Sequence, residues 1–378
     1  MGDKITEKTI GIHIMSDHVN YFLNILKLLE THSGNIIIFS KEKYLEKIPD
    51  QIFRSDSYLC VTKSESEPLE SFLSRASRIW NSTVDVLVSF PFYYSIKDLY
   101  RYYKLEFNCT YLQIVYNVNM WTGSNYRFTP WIFRYLNNIL RKQILSRADG
   151  ILVEYSPIKK YLDSILTTNN VEVFTPVLYE ELNSTSSKQR VTVPGHIDPA
   201  RRNYEFFLDT VEHHLPDHRN NLEIHLLGSP NCAKGEAIAN RCDHLAELGW
   251  NVRYHRDWVP IEQFEQILKS TRVIVSPIRE TNVKNTVTEI YGRSKGSGSL
   301  GDAIRYGKPL ALPEHYEVPP EAESIVRSYS DKSKLAEIIQ SSLRSRGLSS
   351  SEIDQIERNF SLERQRKRFY DVLSRFYH

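Results

Sequence analysis

The sequence predicts an α/β protein in which two doubly wound parallel-sheet domains follow one another. Short apolar runs alternate with amphipathic segments of helical period, a pattern typical of parallel sheets covered by helices on both faces. The length of 378 residues suits two domains better than one. A polar stretch at residues 179–190, YEELNSTSSKQR, interrupts the alternation near the middle of the chain and is the predicted linker.

In the first half, each strand is predicted by a short apolar run that ends in polar or turn-forming residues. These strands cover residues 9–15, 35–39, 58–62, 84–89, 111–116 and 151–155. Helices are predicted by apolar residues at helical spacing, at residues 21–29, 67–80, 96–103 and 131–146. A further helix begins at Ser156, because serine followed by proline is a favoured helix start. These elements define an N-terminal domain over residues 1–180.

The same alternation restarts after the linker and defines a C-terminal domain over residues 190–355. Its predicted strands cover residues 191–195, 222–228, 252–254, 272–277 and 309–313. Its predicted helices cover residues 204–212, 232–248, 261–270 and 300–306, and a long glycine-rich loop precedes the last of them. Residues 356–378 form a closing helical segment.

Composition excludes several classes of protein. The formal net charge is only +2, from 48 basic and 46 acidic residues, whereas general nucleic-acid binders carry a much larger basic excess. The four cysteines lack C-x-x-C spacing, so neither a zinc site nor a disulfide framework is predicted. No secretory h-region or membrane-spanning apolar stretch is present. We therefore expect a cytoplasmic protein.

The segment Glu289–Pro309, EIYGRSKGSGSLGDAIRYGKP, carries the strongest chemical signal. Lys295, Gly296, Ser297 and Gly298 come directly before a predicted helix whose first turn contains Asp302. Glycines let the backbone approach an anion closely, and a helix N-terminus attracts phosphate. A phosphate-binding loop is therefore predicted, the alternative being a flexible glycine-serine surface loop.

A second segment, PGHIDPARRNY at residues 194–204, follows the first strand of the C-terminal domain. Gly195 marks the strand end, and His196, Arg201 and Arg202 place cationic donors near it. Arginine matches phosphate oxygens bidentately, and the carboxyl ends of parallel strands share one sheet edge. We expect both segments to meet there, although a turn with a solvated basic pair is the alternative for this segment alone.

These segments resemble the donor domain of GT-B glycosyltransferases, specifically the large retaining family with an E-x7-E signature. Gly195, His196 and Arg201 fall where that family neutralises the donor diphosphate. SPIRE at residues 276–280 and GDAIRYGKPLALP at residues 301–313 resemble two further family segments, and FSLERQRKRFYDVL at residues 360–373 resembles its closing helix. The resemblance implies two Rossmann-like domains facing across a cleft, with a C-terminal helix crossing back to the first domain.

The resemblance also implies roles for two other residues. Asp302 replaces the second glutamate of the signature, which in the family contacts the nucleotide ribose. Trp258 lies in a loop that in the family is near the nucleotide base, where it either stacks or packs. The first glutamate of the signature would fall at Ser294. If the loop carries an insertion, Glu289 reaches the sugar hydroxyls, with Glu280 as a competing candidate; otherwise donor recognition differs.

Two features of the first half carry weaker predictions. His18 and Asp17 follow the first strand and could position or deprotonate an acceptor hydroxyl, although Asp17 equally suits a helix cap. The helix at residues 131–147 carries Arg134, Arg141, Lys142 and Arg147. It is either an interfacial helix on an anionic membrane or a sheet-packing helix with a solvated basic face.

The sequence thus predicts a glycosyltransferase that uses a nucleotide-sugar donor. The expected acceptor is a glycan, polysaccharide or lipid-linked molecule. The expected location is the cytoplasm, or the inner face of the membrane if the acceptor is lipid-linked. Arg201 and Lys295 stabilise the departing diphosphate, so neither a metal nor another cofactor is predicted, and no D-x-D motif is suitably placed. Retention of anomeric configuration is implied by the resemblance. The alternatives are a nucleotide-sugar epimerase using His18 or Asp17, and a non-catalytic GT-B-like binding protein.

Overall fold

The structure is a computed structural model. It describes residues 2–16, 18–48, 57–92, 94–124, 132–166, 170–181, 188–284, 287–345 and 347–377. Asp17, which the sequence offers as an acid/base or capping residue, lies outside these ranges.

The chain divides into two compact units. The first contains residues Met1–Val177, Val283–Glu289 and Leu362–His378, and the second contains Leu178–Asn282 and Ile290–Ser361. A short segment from within the C-terminal half therefore belongs to the first unit. The sequence does not predict this assignment.

In the described part of the first unit, seven parallel strands form one sheet in the order β3-β2-β1-β4-β5-β6-β7. The strands are β1 Ile10–Ile14, β2 Ile36–Lys41, β3 Tyr58–Lys63, β4 Val86–Ser89, β5 Thr110–Ile114, β6 Gly150–Val153 and β7 Val171–Val173. The helices are α1 Val19–Leu29, α2 Glu42–Leu45, α3 Leu69–Thr83, α4 Ile96–Tyr103, α5 Val118–Thr122, α6 Ile132–Leu145 and α7 Ser156–Ile165. The central strands are buried along their length, as expected when helices cover both faces of a parallel sheet.

In the described part of the second unit, six parallel strands form a sheet in the order β10-β9-β8-β11-β14-β15. The strands are β8 Arg190–Pro194, β9 Glu223–Leu227, β10 Asn251–Tyr254, β11 Val273–Val275, β14 Leu310–Pro313 and β15 Val326–Tyr329. The helices are α8 Tyr204–His214, α9 Ala233–Glu247, α10 Ile261–Lys269, α11 Gly298–Arg305, α12 Lys332–Arg344 and α13 Ser350–Phe360. Strand order reverses between β8 and β11, and such a switch point is where open sheets bind ligands. The two sheets confirm the predicted fold class.

The predicted glycine-rich loop contains a structured hairpin. Strands β12 Thr281–Lys284 and β13 Val287–Ile290 form a two-stranded sheet. Their threonine and valine residues suit strands, but they stand in a segment that the glycines to its C-terminal side mark as a loop. The prediction of an irregular loop between the strand at residues 272–277 and the helix at residues 300–306 is therefore wrong for β12 and β13.

The closing helix, α14 Leu362–Phe376, packs on the first unit, as predicted. Arg366 donates hydrogen bonds from Nε and Nη2 to the backbone oxygens of Leu28 and Lys27, at 3.0 and 3.1 Å. These carbonyls lie in the last turn of α1, where the Lys27 oxygen also accepts a hydrogen bond from the Glu30 nitrogen at 3.4 Å. Phe369 contacts Phe174 with ring centroids 4.9 Å apart. The helix thus completes the packing of α1.

Helix α6 covers most of the predicted membrane-facing segment, and part of its basic face is engaged internally. Arg141 is buried, and Arg147 just beyond the helix donates to the backbone oxygens of Tyr103 and Leu105. Leu136 and Ile139 are partly exposed. Across the described ranges, no helix has both the length and the apolar character that crossing a bilayer demands.

Candidate functional site

Two glycines shape the backbone at the switch point of the second sheet. Gly195, directly after β8, has φ +92°, a left-handed conformation that glycine adopts without strain. A Cβ on Gly228, which follows β9, would lie 2.4 Å from the Gly195 oxygen and 2.9 Å from the His196 nitrogen. Only a residue without a side chain lets these two strand ends come so close.

The paired arginines that follow Gly195 have different environments. The backbone oxygen of Asp198 accepts hydrogen bonds from the nitrogens of both Arg201 and Arg202 at 3.0 Å, which fixes the turn. Arg202 is buried, donates from Nη1 to the His196 oxygen at 3.3 Å, and has no hydrogen-bond partner at Nε. Arg201 is half-buried. The alternative of a solvated basic pair therefore does not describe Arg202, which supports the loop from within; its contact with a diphosphate stays a prediction.

Tyr291 connects the two predicted phosphate-binding segments. Its hydroxyl accepts a hydrogen bond from Arg201 Nε at 3.2 Å, and Lys295 Nζ lies 5.7 Å from the centroid of its ring. Tyr291 is fully buried, so the ring is a fixed platform rather than a mobile surface group. The structure thus brings the arginine and lysine, which are 94 positions apart (295 minus 201), to one aromatic side chain. Sequence reasoning missed Tyr291, although it is the tyrosine of the EIYG motif.

The turn that carries Lys295 is held by backbone and serine contacts. The Gly292 nitrogen donates to the Lys295 oxygen at 2.9 Å, and Ser294 Oγ accepts from the Ile290 nitrogen at 2.7 Å. Ser294 is buried. At this position the family signature would place a glutamate, whereas here the serine stabilises the turn through its hydrogen bond with Ile290.

Helix α11 begins at Gly298, and its first turn is open. Ser297 at the N-cap makes no side-chain capping bond, although serine usually caps in that way. A Cβ on Gly298 would have no heavy atom within 4 Å, so an anion can approach the backbone there. Gly296 is buried. Helix N-termini of this kind attract phosphate through their uncapped N–H groups and dipole.

Asp302 lies in the same helix, four residues after Gly298. Burial raises the pKa of its carboxyl to about 7, while the charges of Arg305 and Arg202 oppose this rise. A carboxyl group held in this way can donate or accept near neutral pH. Its contact with a ribose stays a prediction.

His196 and Trp258 form the outer part of the site. The two ring centroids are 5.7 Å apart, and the His196 backbone oxygen accepts from Tyr204 Oη at 2.8 Å. Trp258 is 73% exposed, which is uncommon for such a large apolar side chain. The structure therefore leaves its ring available to stack rather than packing it in the core.

Glu289 belongs to the first unit and has buried backbone partners. The carboxylate is 2% exposed and accepts hydrogen bonds from the nitrogens of Met120 and Asn119, at 2.9 and 3.3 Å. Asn119 also donates from Nδ2 to the Thr288 oxygen at 2.7 Å. These contacts fix β13 to α5. They give Glu289 a supporting role that the sequence did not predict, and its approach to donor hydroxyls remains an untested prediction.

The structure places His18 in the first unit as well, apart in the chain from the cations of the second unit. It stands at the N-cap position of α1 without a side-chain capping bond, and its ring lies edge-on to Tyr116 with centroids 4.8 Å apart. Its role toward an acceptor stays a prediction. Among the residues described, no group of three or more histidine, cysteine, aspartate or glutamate side chains is arranged to hold a metal ion.

Comparisons with known proteins reveal similar folds. No family model and no curated protein matches this sequence. The solved sucrose-phosphate synthase from Thermosynechococcus elongatus is 15% identical, and the match covers 98% of this chain and 99% of that one, with a TM-score of 0.64. HepE from Anabaena, in complex with UDP and glucose, is 10% identical over 97% of this chain and 100% of its own, with a TM-score of 0.65.

A third similar structure, from E. coli, is named for trehalose-6-phosphate and is bound with UDP-2-fluoro glucose. It is 12% identical, covers 98% of this chain and 99% of its own, and has a TM-score of 0.63. At such low identity the likeness establishes the fold, which is the GT-B architecture that the sequence segments implied.

Proposed function

We propose that this chain is a glycosyltransferase that moves a sugar from a nucleotide-sugar donor to an acceptor hydroxyl. The observation that carries the proposal is the cluster of Arg201, Tyr291 and Lys295 beside the open N-terminus of α11. Solved structures of this fold hold UDP with glucose in one case and UDP-2-fluoro glucose in another, which supports a nucleotide-sugar donor.

The cluster suits a diphosphate leaving group. As the bond from the sugar to the diphosphate loosens, negative charge grows on the phosphate oxygens, and preorganised cations and backbone N–H groups stabilise it. Arg201 offers a planar fork held by Tyr291, Lys295 offers a point charge, and α11 offers backbone donors. These groups perform the electrostatic work that a divalent cation does in other sites, so the reaction is proposed to need no metal.

The finer features of the proposal follow the resemblance. The anomeric configuration is retained without an obligatory protein nucleophile. The acceptor is a glycan, polysaccharide or lipid-linked molecule, and the reaction takes place in the cytoplasm or at the inner membrane face. Gly195, His196, Arg202, Trp258 and Asp302 complete the donor site around the cluster.

Incubation of the full chain with a panel of nucleotide sugars and acceptors tests this proposal. We expect release of nucleoside diphosphate together with a glycosylated acceptor, at the same rate with and without EDTA. Loss of turnover in EDTA that manganese or magnesium restores would contradict metal independence. Donor incubated alone is the control, since conversion into an isomeric nucleotide sugar without acceptor would instead identify an epimerase.

A further inference from the structure

A cavity of about 480 Å³ opens at the carboxyl ends of β2 and β3 in the first unit. Lys41 ends β2, Lys63 ends β3, and Lys43 follows in α2; all three line the cavity. Ser64, Tyr94 and Ser95 also line the cavity, although the Tyr94 hydroxyl lies 3.3 Å from Nε2 of the buried His13. Its volume lies within the range of small-molecule sites, and it opens at the carboxyl-end edge of the sheet, whose strand order reverses between β1 and β4.

Lys41 and Lys63 lie side by side on neighbouring strands, where the repulsion between their charges opposes folding. Lys41 and Lys63 are partners in the parallel register of β2 and β3, so their backbones are about 4.8 Å apart. Like charges on neighbouring strands destabilise a sheet. Burial lowers the pKa of Lys41, and the charges of Lys43 and Lys63 lower it further.

Three carboxylates line the same cavity as the three lysines. In the described ranges no ion pair joins Lys41, Lys43 or Lys63 to an acidic residue, and Lys63 Nζ instead donates to the Ser64 backbone oxygen at 2.8 Å. Glu42 and Glu65 line the cavity but are exposed. The third acidic group of the wall, Asp98, accepts from Ser95 Oγ at 2.6 Å and from Arg101 Nη1 at 3.3 Å.

We propose that this cavity binds an anionic group carried by the sugar acceptor, a phosphate or a carboxylate. In the described ranges Lys41 and Lys63 form no ion pair, so their charge is available to such a group, and the hydroxyls of Ser64 and Ser95 suit the polar rim of a sugar ring. The bound anion would remove the repulsion between Lys41 and Lys63. The claim that the anionic ligand is the sugar acceptor rests on the proposed function, whereas the claim of an anion site depends only on the residues that line the cavity.

Calorimetric titration of the full chain with glucose, glucose 6-phosphate and glucuronic acid tests the proposal. We expect at least one of the two acidic sugars to bind about tenfold or more tightly than glucose, a difference of about 1.4 kcal/mol. Binding of glucose 6-phosphate would identify a phosphate site, and binding of glucuronic acid would identify a carboxylate site. Equal affinities for all three sugars would overturn the proposal.

The double variant Lys41→Gln/Lys63→Gln should lose this preference. Its melting temperature without ligand should equal or exceed that of the wild type, because a like-charge pair has been removed. Lys160→Gln is the matched control, since Lys160 is exposed on α7 of the same unit. Unchanged binding of acidic sugars in the double variant would overturn the proposal.

Binding of nucleoside diphosphate, measured in the same variants, separates this inference from the proposed function. The lysine variants should bind it normally, because the donor cluster belongs to the second unit. If the wild type binds an acidic sugar but no nucleotide, the proposed function fails and the anion site stands. If the wild type binds nucleotide but no acidic sugar, the anion site fails and the proposed function stands.

Discussion

Replacing Arg201 with Ala should lower the rate of sugar transfer by at least on the order of 100-fold while leaving the protein folded. A loss of this size is typical when one preorganised hydrogen-bond donor to the negative charge of the transition state is removed. Lys295→Ala should have a comparable effect, because its charge acts on the same leaving group. Steady-state kinetics with a saturating acceptor measures both losses, and melting curves check the fold.

Two controls sharpen this experiment. Arg253→Ala and Lys234→Ala remove the same charges from exposed positions of the second unit and should leave the rate unchanged. Tyr291→Phe removes the hydroxyl that accepts from Arg201 but keeps the ring beside Lys295, so its loss should be smaller than that of Arg201→Ala. Normal turnover in both Arg201→Ala and Lys295→Ala would remove the diphosphate assignment.

Gly228→Ala should destabilise the protein by about 3 kcal/mol, as overpacking against fixed groups does. The new methyl group would lie 2.4 Å from the Gly195 oxygen and 2.6 Å from its carbonyl carbon, and backbone atoms cannot turn aside as a side chain does. Urea unfolding measures the loss, and nucleotide affinity should fall with it because the Gly195 turn is displaced.

Gly298→Ala is the matched control for this effect. Its methyl group meets no heavy atom within 4 Å, and alanine favours helix more than glycine does, so stability should be kept. Nucleotide affinity should nevertheless fall, because the methyl group occupies the space through which phosphate approaches α11. A stability loss equal to that of Gly228→Ala would contradict this account of the two glycines.

Much of the fold could be predicted from sequence because the strands are buried on both faces. Strand β2, for example, begins with the uninterrupted apolar run IIIF. The meeting of Arg201 and Lys295 was predictable too, since both follow strands whose carboxyl ends share one edge. The close approach of Gly228 to Gly195 had a weaker signal in the sequence, namely a glycine at the end of the neighbouring strand.

Other features depend on partners that are remote in the chain. The Glu289 carboxylate is bound by the nitrogens of Asn119 and Met120, and no local pattern indicates such a pairing. The opposition of Lys41 and Lys63 depends on the register of two parallel strands. Hydrophobic pattern alone does not determine that register to one residue, since both strands continue beyond their apolar runs.

The central claim is that the second unit binds a nucleotide sugar through its diphosphate, and a thermal-shift screen tests it most directly. A ligand present at 100 times its Kd adds about 2.7 kcal/mol to stability when it binds only the folded state. Titration with UDP, GDP, ADP and their glucose conjugates should raise the melting temperature of the wild type for one base, with and without the sugar. The same ligand should produce a much smaller shift in Arg201→Ala. A folded wild type whose melting temperature none of these nucleotides raises would contradict the account.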